Sequence, residues 1–236
     1  MASPLFSKPS ITQLKALIDI VLDSINTNSG AYLNRNTVDA AYAGYVFGLV
    51  LKAADRVADP KSVRLESALA GTSKSNPIVF VMRGSPGSLA TVAQDFGFAT
   101  FKYRGTEYEI HLSVQYQGSS GVLHEFDISI IPGKDADKCR KADKPPGPAT
   151  AIAVFECKCY TKYLGIGLGR EFVGLKADFT SVPMARLVTN SESESIARFL
   201  KKTSRPKLTC RLDPNNSAME QEFVCAVADE LRNSLS

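Results

Sequence analysis

Two short apolar segments carry charged side chains where a buried strand ordinarily holds none. One is His124-Glu125-Phe126-Asp127-Ile128-Ser129, and the other is Val154-Phe155-Glu156-Cys157-Lys158-Cys159. Side chains alternate along a strand, so Glu125 and Asp127 share one face, as do Glu156 and Lys158 on theirs. If adjoining strands turn these faces together, two or three carboxylates meet one ammonium. Desolvating such a group is seldom offset by pairing alone, whereas a divalent cation would neutralise the carboxylates. Oxygen ligands from Asp127 and Glu156, with the main-chain carbonyl of Cys157 as a further one, suit Mg²⁺ better than zinc, with Mn²⁺ as its substitute. Lys158 would orient a water and help it lose a proton, while the metal stabilises charge on a phosphate. The implied chemistry is phosphodiester hydrolysis, with Asp127, Glu156 and Lys158 as its catalytic core. Glu125 is either a second carboxylate in the site or a solvated strand residue; same-face spacing allows both.

These residues need a sheet to hold them. A Glu-x-Lys tripeptide arises about once by chance in a chain of this length, so its context matters. The segment from Ala151 to Tyr160 is apolar on both faces until Glu156 interrupts it, the pattern of a central strand covered on both sides. Ahead of it, Ala99 to Tyr103, the Arg104-Gly105 turn and the alternating run Tyr108, Ile110, Leu112, Val114, Tyr116 predict a hairpin. Gly118 to Gly121 turns the chain into a third strand, Val122 to Ile131, which ends at Pro132-Gly133. After the key strand come a helix near Gly167 to Phe179, a strand near Ala185 to Thr189 and a helix from Glu192 to Lys202 capped by Ser191. A strand from Leu208 to Leu212 and a helix from Ala218 to Ser234 close the chain. Lys134 to Pro148 lacks any apolar period and is expected as an exposed loop.

The N-terminal quarter is expected to be helical. Ile11 to Ile25 has helical spacing behind a capping Ser10, and Thr37 to Val57 carries a broad apolar face; Ile78 to Met82 is a short strand. The expected division is a helical extension over residues 1–75, serving packing, homodimerisation or contact with a partner, and a catalytic domain over 76–236.

The order of meander with Asp127, strand with Glu156-Cys157-Lys158, helix and next strand resembles the PD-(D/E)XK nuclease superfamily, the restriction-endonuclease-like fold. Phe155 to Tyr160, Arg170-Glu171-Phe172-Val173-Gly174-Leu175 and Leu187-Val188-Thr189-Asn190-Ser191 look most like the Mrr-type restriction enzymes. The resemblance runs from about Tyr108 to Leu200. It implies an α/β fold with a central mixed sheet flanked by helices, Mg²⁺-dependent DNA cleavage in restriction or defence against foreign DNA, Asp127 and Glu156 as metal ligands, and Lys158 as the catalytic lysine. One departure stands out: such enzymes often carry a further Glu on a helix ahead of the sheet, and Thr37 to Val57 contains none. Glu66, Glu109 or Glu125 would have to replace it. A non-catalytic nucleic-acid-binding module, or an effector subunit activated by a partner, is the rival that this departure supports.

The remaining features have plainer readings beside sharper ones. His124 should point away from Asp127, and His111 is expected to be structural. Cys157 and Cys159 behave as core residues. Gly165, Gly167 and Gly169 make either a tight connection or an approach for a phosphate. For DNA, the expected contacts are Arg170 and the basic cluster Lys201, Lys202, Arg205 and Lys207. A net charge of +4 with 44% apolar and 22% charged residues identifies no partner by itself. Five cysteines without a framework spacing, no secretion signal and no apolar stretch long enough for a bilayer lead to the expectation of a cytoplasmic protein off the membrane.

Overall fold

The computed structural model describes residues 8–27, 29–69, 72–75, 77, 79–90, 95–203 and 206–235. Helix α1 (Ile11–Ile25) begins where the Ser10 hydroxyl accepts from the Gln13 N–H at 3.1 Å, the expected cap. Strand β1 (Gly30–Leu33) follows, then α2 (Val38–Asp55), capped by Thr37. Helix α2 is buried around nearly its whole circumference, from Ala41 to Leu51, which makes it a core helix rather than a surface one. Its Gly44 lets α1 approach, since a Cβ there would sit 3.0 Å from the Ile18 Cδ1.

Strands β2 (Arg64–Leu69), β3 (Thr72–Ser75) and β4 (Val79–Met82) lead into the meander of β5 (Phe96–Tyr103), β6 (Thr106–Gln117) and β7 (Leu123–Pro132). Ile78, expected to start the fourth strand, lies outside the described residues. The β5–β6 hairpin closes through Arg104 and Gly105, both at positive φ (51° and 78°), the turn whose twist matches paired strands. Asp59 fastens this turn by accepting from both of its N–H groups.

The expected loop after Pro132 is instead α3 (Gly133–Ala142). It escapes an apolar-period search because charge holds it. Lys138–Asp135 and Arg140–Asp137 pair at helical spacing, Ala136 is its buried apolar residue, and Asp143 ends it in the left-handed conformation. Then come β8 (Ala153–Lys158), α4 (Ile166–Asp178), β9 (Met184–Thr189), α5 (Glu194–Leu200), β10 (Lys207–Thr209) and α6 (Ser217–Ser234). Helix α5 starts two residues later than expected, with Ser193 rather than Ser191 accepting from the Ile196 N–H.

Among the described residues, eight strands form one mixed sheet in the order β10-β9-β8-β7-β6-β5-β2-β3. Strands β8, β9 and β10 run parallel, joined through helices α4 and α5, while β5 to β8 are antiparallel. Helices α1, α2 and α6 cover one face in a single core with β5 to β9; α4 and α5, with Ala136 of α3, cover the other. The protein is therefore α/β, with a central mixed sheet between helices. Helix α2 and strand β2 belong to that core, and Tyr42 and Tyr45 tie α2 to Leu212 and Glu220. Among the described residues, one core takes in side chains from both sides of the boundary expected at residue 75. Among the described residues no helix is long and apolar enough to cross a membrane.

Candidate active site

Strands β7 and β8 pair from Ile130–Ala153 to Ile128–Phe155 and then part. One register step further, Asp127 stands opposite Glu156. The Asp127 side chain turns into the opening, where its Oδ2 accepts from the Cys157 N–H at 2.6 Å. The local chain explains this turn. On β6, Ile110 and Leu112 point to the α1–α2–α6 core, but Val114 and Tyr116 point to the opposite one; on β7, Ile128 and Ile130 oppose Phe126 in the same way. The alternation reverses at Ser113, whose φ is 49°, and at Asp127 beside it. A left-handed serine inside a strand is a strained arrangement of the kind found where a site needs a side chain redirected.

The expected residues do meet. Glu125, Asp127, Cys157 and Lys158 line one cleft of about 480 Å³, closed on its far side by the start of α2 and the loops after β1 and β4. Glu156 does not line it, but the Lys158 ammonium, which does, holds the Glu156 Oε1 at 2.6 Å. Burial raises the Asp127 carboxyl far above the usual carboxylate range, and the Glu156 charge raises it further against the Cys157 hydrogen bond and Lys158. Burial also raises Glu125, with Glu156 adding to it, while the Ser113 hydroxyl, Lys158 and Arg35 act in the other direction. For Lys158, burial lowers the ammonium's affinity for its proton, but Glu156 outweighs it, so the group is held well above the ordinary lysine range.

Would a divalent cation fit? Two neighbouring carboxylates, with the proton of Asp127 held first by burial and then by the Glu156 charge, form a site short of positive charge. One ammonium supplies only part of it. Among the described residues no group of three or more His, Cys, Asp or Glu side chains is placed to hold a metal. Asp127 and Glu156 fit such an ion by charge and oxygen chemistry, and the rest of a shell would come from main chain, water and substrate.

The candidates for a further carboxylate separate. Glu66 and Glu109 line a different cleft, where Arg140 grips Glu109 through both carboxylate oxygens and His111 bonds it at 2.7 Å. Glu125 remains in the site, and α2 supplies Asp39, exposed in its first turn on the cleft wall. A search for Glu on that helix passes over it. His124 bonds Asp178 at 2.9 Å and does not line this cleft. Gly169 answers to packing, since a Cβ there would meet Ile196 at 3.1 Å.

The basic residues expected on DNA do not reach this cleft. Lys201 and Lys207 line a separate hollow beside β10, the edge strand two places from β8, and Lys207 is paired with Glu230 at 2.6 Å. Lys202 and Arg170 are exposed but line neither hollow, and Arg205 lies outside the described residues. Density along the chain favours the C-terminal cluster, but Lys201 and Lys207 lie by the edge strand, away from this cleft. The cations that do line the cleft are Lys8, Arg35 and Arg83, alongside Lys158. Each is isolated in sequence, and only the fold assembles them. Burial lowers Arg83 to about 10, against the pull of Glu125, so it stays charged at neutral pH.

One further residue steadies the loop that leaves β8. The buried Asn190 side chain accepts from the Tyr160 N–H at 2.8 Å and donates to the Tyr160 carbonyl at 2.9 Å. The chain just beyond β8 is thus clamped to the residue that follows β9. Compared with known proteins, the chain matches no family model, no curated protein and no solved structure.

Proposed function

We propose that this protein is a metal-dependent endonuclease that hydrolyses DNA phosphodiester bonds, on a restriction-endonuclease-like core of the PD-(D/E)XK type. The observation that carries the reading is the meeting of Asp127, Glu156 and Lys158 where β7 and β8 part, with the Asp127 carboxyl pushed up by burial and by its neighbour. An ion pair kept only for stability would not leave a second carboxylate buried against the first. The order of antiparallel meander, β8, α4 and parallel β9 supports the reading.

Asp127 and Glu156 would hold Mg²⁺, with Mn²⁺ as substitute and the Cys157 carbonyl as a further oxygen. The ion would polarise the phosphate and acidify the attacking water. Lys158 remains an ammonium beside Glu156, so its role is to donate a hydrogen bond and to stabilise negative charge on the phosphate. Glu125, half-buried on the cleft wall with its carboxyl raised, is placed to take the proton from water. Restriction or defence against foreign DNA is the biological role that the resemblance suggests, with a cytoplasmic location. A homodimer through the N-terminal helices would have to use the outer face of α1, where Ile20 is exposed, because α2 is spent inside the chain.

The rival is a binding module without catalysis, or an effector completed by a partner. The observation in its favour is that, among the described residues, no three His, Cys, Asp or Glu side chains are grouped so as to hold a metal ion. Incubating plasmid and linear DNA with the purified protein, with Mg²⁺ or with EDTA, separates these readings. Magnesium-dependent cutting supports the nuclease; binding without cutting supports the rival.

A further inference from the structure

The two-stranded parallel sheet of β1 and β4 stands apart from the main sheet, and its register runs from Gly30–Val79 to Leu33–Met82. Parallel strands end on the same side, so the chain leaves both at one point, and the Asn34 N–H extends the pairing to the Met82 carbonyl at 3.2 Å. The next residues along are Arg35 and Arg83, and both line the cleft beside Glu125. We propose that this ribbon is a grip for the substrate strand, with Arg35 and Arg83 holding a backbone phosphate next to the one attacked. The proposal rests on the nuclease reading above.

The two arginines are placed differently. Arg83 is buried, donates to the Ser88 carbonyl at 2.7 Å and lies over the Phe96 ring at 4.5 Å, which fixes its guanidinium at the cleft wall. Arg35 is exposed, and its guanidinium has no hydrogen-bonded or ion-paired partner among the described residues. Its main chain is nevertheless seated closely. A Cβ on Gly84 would come within 2.5 Å of the Arg35 Cβ, so a side chain at position 84 would displace it. Both arginines act on the same carboxylate, Glu125, which can answer only one unit of their combined charge. An anion with several oxygens satisfies both, and a phosphodiester supplies it in the geometry that arginine binds best. Arg35 is a binding residue in this account, not a catalytic one.

The test is fluorescence anisotropy of the full chain with a labelled DNA duplex, in Ca²⁺ to hold back cleavage, over a series of salt concentrations. Arg35→Ala keeps the Cβ that Gly84 accommodates, so the fold is preserved. It is expected to weaken binding about tenfold and to flatten the log K against log salt slope by about 0.9, the signature of one lost phosphate contact. Arg35→Lys should recover part of the affinity and all of the slope. Gly84→Ala should reproduce the loss without removing any charge, with thermal melting as the check on folding, and Lys201→Ala should leave binding unchanged. Wild-type affinity and slope in Arg35→Ala, with the wild type binding well, would overturn the grip and leave the nuclease reading standing. A wild type that neither binds nor cuts DNA would overturn both.

Discussion

The Cys157 main-chain N–H donates to Asp127 Oδ2 at 2.6 Å, just where the ladder between β7 and β8 would have continued. A side-chain carboxylate thus replaces a main-chain carbonyl near the end of β8. The parting of the strands and the placing of the acid are one event, and the reversal at Ser113 on the neighbouring strand β6 accompanies it.

Asp127→Asn should stabilise the metal-free protein. The folded-state carboxyl lies at about 8, above its ordinary value of 3.8. Between those values the native state keeps a proton that the unfolded chain has lost, so wild-type stability falls as pH rises through the window. The variant has no such proton, and its advantage should grow from about nothing near pH 4 to on the order of 1 kcal/mol or more above pH 8. Denaturant titrations at several pH values measure this. A constant difference across the range would mean that Asp127 is an ordinary ionised carboxylate.

Adding Mg²⁺ should act on the same pair in the opposite sense. It should raise the melting temperature of the wild type, more at pH 8 than at pH 6 because the ion competes with the Asp127 proton, and leave Asp127→Asn nearly unmoved. Equal shifts in both proteins would place the cation elsewhere.

Much of this site was legible in the chain because two physical signals coincide there. An apolar run interrupted by Glu156 and Lys158 cannot be a simple core strand, and period-two alternation puts those residues on one face. What escaped has equally physical reasons. Helix α3 is held by Asp135–Lys138 and Asp137–Arg140 pairs rather than by an apolar stripe. The reversal at Ser113 is a backbone conformation that serine does not announce. Arg35 and Arg83 come together only through the pairing of two short strands far apart in sequence, whereas Lys201 and Lys207 are close in sequence and lie on the far edge.

Ser113→Gly should relieve the left-handed conformation by about 1 kcal/mol. It also removes the hydroxyl that bonds Glu125. The expected result is a chain that melts at the same temperature or higher and cleaves more slowly, with its pH optimum moved upward because Glu125 loses a group that lowers its pKa. A less stable variant with unchanged cleavage would show that Ser113 serves the fold alone.

Glu109 belongs to stability, not to catalysis. Burial pushes its carboxyl up, but hydrogen bonds from Arg140 and His111 prevail and hold it at about 2. Its stabilising contribution is therefore present above about pH 4.5 and is lost as pH falls toward 2. Glu109→Ala leaves Arg140 without its bidentate partner and should cost about 3 kcal/mol at neutral pH. In denaturant melts at pH 7 and pH 3, the gap to the wild type should narrow in acid.

The most direct test of the central claim is a nicking assay on supercoiled DNA with Mg²⁺, comparing the wild type with Lys158→Ala, Glu156→Gln and Lys201→Ala at matched folded concentration. The account predicts cutting by the wild type and by Lys201→Ala, and a loss on the order of 10²-fold or more in the other two. Undiminished cutting by Lys158→Ala or Glu156→Gln would contradict it, because the opening between β7 and β8 would then not be where the phosphodiester is broken.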